Sequence, residues 1–96
     1  MIKSVNILGR KYTVQYKNEV FRDDGAELFG QINYGTGIIE ISEKDRSDQC
    51  KFETLVHEVM HGILERTGTR NSFTKDQIET ICDLAPLLVQ TMKGIK

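Results

Sequence analysis

Apolar and polar positions alternate along the first half of the chain, and along the second half apolar positions recur every three or four residues. The alternation predicts strands over 2–8 and 11–17. Val5 and Ile7 share one face of the first, and Tyr12, Val14 and Tyr16 alternate with Thr13 and Gln15 in the second. Gly9-Arg10 between them suits a type II′ turn, with glycine supplying the positive φ. Residues 18–29 are polar and then mixed. Asp23-Asp24-Gly25 signals a turn there, and Glu27-Leu28-Phe29 is a short strand or loop. A second hairpin follows: Gly30-Gln31-Ile32-Asn33 leads into the turn Tyr34-Gly35-Thr36-Gly37, and Ile38 to Ser42 leads out with Ile39 and Ile41 on one face. Residues 43–47 are a charged connection.

The helical period begins near Ser47 or Asp48, both good N-caps, and stops before Gly68, a good C′ residue. Phe52, Val56, Val59, Met60 and Ile63 form its apolar side, and His57 and His61 border that stripe with Thr54 and Leu64. A polar loop over 68–73 separates it from a second helix, which opens with the capping-box pattern Thr74-Lys75-Asp76-Gln77. Ile78, Ile81, Cys82, Ala85, Leu88, Val89 and Met92 follow helical spacing, Pro86 predicts a kink or restart, and Gly94-Ile95-Lys96 should fray. The expectation is one α+β domain spanning 1–96: a small antiparallel sheet of two β-hairpins packed on two α-helices, with no internal repeat, linker or low-complexity tract.

Composition narrows the function. Among 96 residues the net charge is −1, with 28% charged residues of mixed sign. No basic stretch suggests nucleic acid. No segment resembles a transmembrane span or signal peptide, so no membrane role and a cytoplasmic location are expected. Cys50 and Cys82 fall on different helices without C-x-x-C spacing and read as reduced thiols. A core this small would gain stability from a bound metal.

The chemistry sits in His57-Glu58-Val59-Met60-His61, which holds both histidines of the chain. Histidines four apart stack one turn above each other on a helix face. Both imidazoles can bind one zinc ion, and the glutamate between them can act as general base on a water. A catalytic zinc takes a third protein ligand. Glu65 continues the spacing but lies about 12 Å along the axis from His57, too far for one ion. Cys82 falls in the middle of an apolar stripe. Glu79 flanks the stripe of the second helix and reaches the histidines if that stripe packs on the first helix. Asp83 lies one turn further on and suits the role of orienting His57 through its other ring nitrogen.

These residues resemble the gluzincins, zinc peptidases with H-E-x-x-H on one helix and Glu-x-x-x-Asp on the next, here Glu79-Thr80-Ile81-Cys82-Asp83. The short layout over roughly residues 28–92 is most similar to minigluzincins and to the ImmA/IrrE-type metallopeptidase domains of phage and bacterial genomes. Leu64 and Thr67 stand where the metzincin extension has Gly and His, which argues against that branch. The resemblance implies a zincin-like fold, one zinc per chain on His57, His61 and Glu79, and peptide hydrolysis with Glu58 as base. It also implies a peptide or protein substrate bound as an added strand along a sheet edge. Here that edge is Gly30–Asn33, with Gln31 and Asn33 near substrate. Larger gluzincins close the cleft with a C-terminal subdomain that supplies a Tyr or His to the oxyanion, and here Tyr34 is the candidate. Minigluzincins resemble latent forms in which a chain segment covers the cleft; here the stretch from Leu87 to Lys96 is either such a segment, which would make the chain latent, or helix and frayed end, and the second reading is preferred. Two other readings stay open: a catalytically silent zinc-binding interaction or regulatory module, and a metal-free interaction protein.

Overall fold

A computed structural model describes residues 1–94 of the chain. Strands β1 (Ser4–Ile7) and β2 (Arg10–Lys17) pair as the first hairpin. The turn falls one residue earlier than expected, on Leu8-Gly9, with φ of 51° and 92°. Positive φ at both central residues is the type I′ pattern, whose twist matches the flanking strands, in place of type II′. Asn6 Oδ1 accepts the Gly9 N–H at 2.7 Å and fixes the turn.

Residues 18–29 form a hairpin of their own, β3 (Val20–Phe21) against β4 (Glu27–Leu28). Asp24 caps its turn by accepting from the Arg22 guanidinium and the Ala26 N–H. β5 (Gly30–Asn33) and β6 (Ile38–Ser42) then make the expected hairpin.

The main sheet has the order β1-β2-β6-β5, and β2 runs parallel to β6. The sheet is therefore mixed, not antiparallel throughout as the two-hairpin pattern predicts. Burial explains the choice. Ile39 and Ile41 on β6 are fully buried, and a central place beside Tyr12 and Val14 of β2 covers them. β5, with Ile32 as its half-buried apolar residue, takes the edge. The β3–β4 excursion supplies the chain length that a parallel neighbour needs.

Helix α1 (Asp48–Arg66) starts at Ser47, whose Oγ accepts the Cys50 N–H at 3.1 Å, and is followed by Gly68 at φ 72°. A 3-10 turn (Thr69–Ser72) leads to α2 (Lys75–Lys93), whose capping box between Thr74 and Gln77 is fully formed. The helix does not restart at Pro86. Pro86 lies inside the continuous helix, where it has no N–H to give the Cys82 carbonyl. The end expected to fray reaches Ile95 and Lys96, which lie outside the described residues.

α1 lies across the sheet, with Leu55 in the core formed by Ile7, Tyr12, Val14, Ile39 and Ile41. Val59 and Ile63 pack against that core, whereas Phe52, Val56 and Met60 are half-buried away from it, so the predicted apolar side is split between two neighbours. α2 runs back along α1: Gln90 bonds Glu53 near the start of α1, and Glu79 meets His61 near its end. Of the stripe on α2, Cys82 is fully buried but Leu88 and Met92 are more than half exposed, because among the described residues α1 is the only element in extensive contact with that helix. Among the described residues no helix is long and apolar enough to cross a membrane.

Candidate metal centre

Leu55 faces the sheet. Glu58, three residues on, is rotated about 60° from it toward open space, and His61 about 60° further. Glu58 therefore stands at the corner between sheet and cleft and is 7% exposed. The histidines stand where the cleft meets α2. Their ring centroids are 5.0 Å apart.

α2 delivers two carboxylates to this place. Glu79 reaches both imidazoles, with Oε1 3.0 Å from His61 Nε2 and Oε2 3.6 Å from His57 Nε2. Asp83 Oδ1 lies 3.1 Å from His57 Nδ1, the nitrogen on the far side of the ring from Glu79. His57, Glu58 and His61 offer ligand atoms within 4.8 Å of one another, and so do His57, Glu79 and Asp83. Two imidazoles and converging carboxylates are the donor set of a divalent metal, and the cluster can hold one ion.

The electrostatics agree with that chemistry. Burial, and then the charge of Glu79, push the Glu58 carboxyl up from 4.5 to about 7. Such a carboxyl can accept and release a proton near neutrality. Burial lowers the pKa of His61, favouring the neutral, metal-binding imidazole. Burial also drives the Cys82 thiol up to about 12, so it stays protonated behind the site.

An open cleft of about 800 Å³ runs past these groups between α1, α2 and the β4–β5 segment. β5 has no strand neighbour on its outer side among the described residues, so its backbone edge borders the cleft unpaired. The residues expected to meet substrate divide. Gly30 and Ile32 point toward α1, which turns Gln31 and Asn33 to the opposite face of the strand. Gln31 there bonds Glu40 at 2.7 Å, and Asn33 Oδ1 caps the hairpin turn by accepting the Thr36 N–H at 3.0 Å. β5 borders the cleft through Gly30, Gln31 and Ile32, and Asn33 does not. Tyr34 does border the cleft, and its hydroxyl donates to the His61 carbonyl at 3.4 Å. Burial raises its pKa, so it is a phenol and a donor.

The sequence reading missed the burial of Glu58 and the place of Phe29, Arg46 and Thr54 on the cleft wall. Helical rotation from Leu55 carries the signal for Glu58. A lone arginine in the charged run Glu43-Lys44-Asp45-Arg46 carries none. No family model, curated protein or solved structure matches this chain.

Proposed function

We propose that this chain is a zinc-dependent metallopeptidase that hydrolyses peptide or protein substrates. The observation that carries the reading is the convergence of Glu79 on both histidine Nε2 atoms beside a buried Glu58. A structural site needs no buried base next to it, and a hydrolytic one does.

In this reading His57, His61 and Glu79 hold the ion. Zinc, when bound, supplies Lewis-acid activation of water and of the substrate carbonyl. Asp83 fixes the His57 ring through Nδ1, the second partner that metal-binding histidines commonly have. Glu58 takes the proton of the attacking water and passes it to the leaving amine. The free edge of β5 aligns the peptide by backbone hydrogen bonds, and Tyr34 stands at the side of the cleft as a further donor. The free thiols Cys50 and Cys82 suit a reducing, cytoplasmic setting.

Elemental analysis of protein purified without a metal-affinity tag tests this. Wild type and Glu65→Ala should carry about one zinc per chain, and Glu79→Ala should lose most of it. A folded wild type that takes up no zinc would end the metallopeptidase reading. Zinc retained by Glu79→Ala would move the third ligand elsewhere.

A further inference from the structure

The cleft continues past His57 toward the start of α1, where Arg46 borders it. The Arg46 Nη2 donates to Thr54 Oγ1 at 3.0 Å. Its Cζ lies 3.9 Å from the centroid of the Phe29 ring. Thr54 belongs to α1 and Phe29 to the segment between β4 and β5, so the guanidinium is held between opposite walls. Thr54 precedes His57 by three residues, about 4.5 Å along the helix axis. That is close to the roughly 3.3 Å rise of one residue in an extended peptide.

The charge of this guanidinium is unmet. Among the described residues Lys17, Arg22, Lys44 and Lys51 each pair with a carboxylate, and Arg46 has none within 4.0 Å. Its Nε–H is shielded from solvent without an acceptor. Glu53, on the same wall, is engaged by Gln49 and Gln90. The three groups that hold Arg46, the Thr54 hydroxyl, the Cys50 carbonyl at 3.5 Å and the Phe29 ring face, are all neutral. They orient the fork and leave its charge available, and the planar fork of a guanidinium matches a carboxylate.

We propose that Arg46 is a specificity-determining residue that binds a carboxylate of the substrate, beside the residue whose carbonyl meets the metal centre. The preferred substrate carries an Asp or Glu side chain, or a free C-terminal carboxylate, at that place. The inference rests on the metallopeptidase reading of the same cleft.

The test uses zinc-loaded protein and short peptide hydroxamates in matched pairs, followed by titration calorimetry. One set exchanges Asp for Asn on either side of the hydroxamate, and another exchanges a C-terminal acid for its amide. In one set the acid should bind roughly tenfold more tightly than its amide, the scale of one charge-assisted hydrogen bond. The set that responds identifies the source of the carboxylate. The preference should vanish in Arg46→Met and persist in part in Arg46→Lys. Acid-to-amide ratios near one in wild type, or a preference that survives Arg46→Met, would overturn the role of Arg46 while leaving the metal centre standing. Failure of every hydroxamate to bind the zinc-loaded protein would instead overturn the metallopeptidase reading.

Discussion

Helix α1 has two working sides, and they are built on different terms. On the sheet side, Leu55, Val59, Gly62 and Ile63 meet Ile7, Ile32, Ile39 and Ile41 through apolar contact alone. On the cleft side, His57 and His61 meet Glu79 and Asp83 of α2 through polar atoms, with Glu58 beside the two histidines. The first side stabilises the fold by removing apolar area from water. The second holds a buried carboxyl shifted by burial and by a neighbouring negative charge, which costs stability when no cation is present. Glu58 lies where the two sides meet, so it tests whether chemistry and stability are separable on one helix.

The largest effect expected is on activity. Glu58→Gln keeps size and shape but removes the base, and peptide hydrolysis should fall by about 10²- to 10⁴-fold, the usual contribution of a positioned proton acceptor. Zinc content should stay at the wild-type level. Undiminished turnover in this variant would assign the proton transfer to another group and dissolve the contrast between the two sides.

The next effect is on pH dependence. The Glu58 carboxyl is raised in the folded state from 4.5 to about 7. Its neutral form is the one the fold favours, so its contribution is fully present below pH 4.5 and is lost as pH rises through 7. At roughly 1.4 kcal/mol for each pH unit of displacement, the loss approaches about 3 kcal/mol. His61, with its pKa lowered by burial, acts in the opposite sense: its contribution is present above 6.5 and is lost as pH falls below that toward the lowered folded value. Denaturant melts of metal-free wild type and Glu58→Gln should therefore diverge between pH 4.5 and 7, with the variant the more stable at the upper end. Saturating zinc should flatten the wild-type curve, because a nearby dication favours the carboxylate. Parallel curves for the two metal-free proteins would show that Glu58 is not strained by its position.

The sheet side was harder to read from sequence than the cleft side. Alternation located β2, β5 and β6, but it carries no information on which edge of a hairpin docks against another. The parallel β2–β6 pair depends on the path of residues 18–29, whose strands are two residues each, too short for periodicity to reveal. The cleft side was legible because its residues lie on long helices. Rotation along α1 sets the histidine pair, and the flank of the stripe on α2 brings Glu79 and Asp83 to it. Asn33 shows the limit of that approach: Gln31 borders the cleft, whereas Asn33 caps the hairpin turn and does not.

Gly62 gives the smallest effect and the finest test of separability, since it adjoins His61 in sequence but faces the sheet. A Cβ there would lie 2.6 Å from Ile7 Cδ1 and 3.2 Å from Ile32 Cδ1. Both are ends of flexible side chains, so the neighbours can yield, at an overpacking cost of about 1–3 kcal/mol. Replacing glycine inside a helix returns about 1 kcal/mol of helix propensity. Gly62→Ala should then lower stability by about 1 kcal/mol in urea unfolding, with zinc affinity within about twofold of wild type, less than the 10- to 100-fold that loss of an orienting partner such as Asp83 would cause. A loss of zinc affinity matching the loss of stability would mean that the sheet contact sets the spacing of the ligands, and that the two sides of α1 act as one unit.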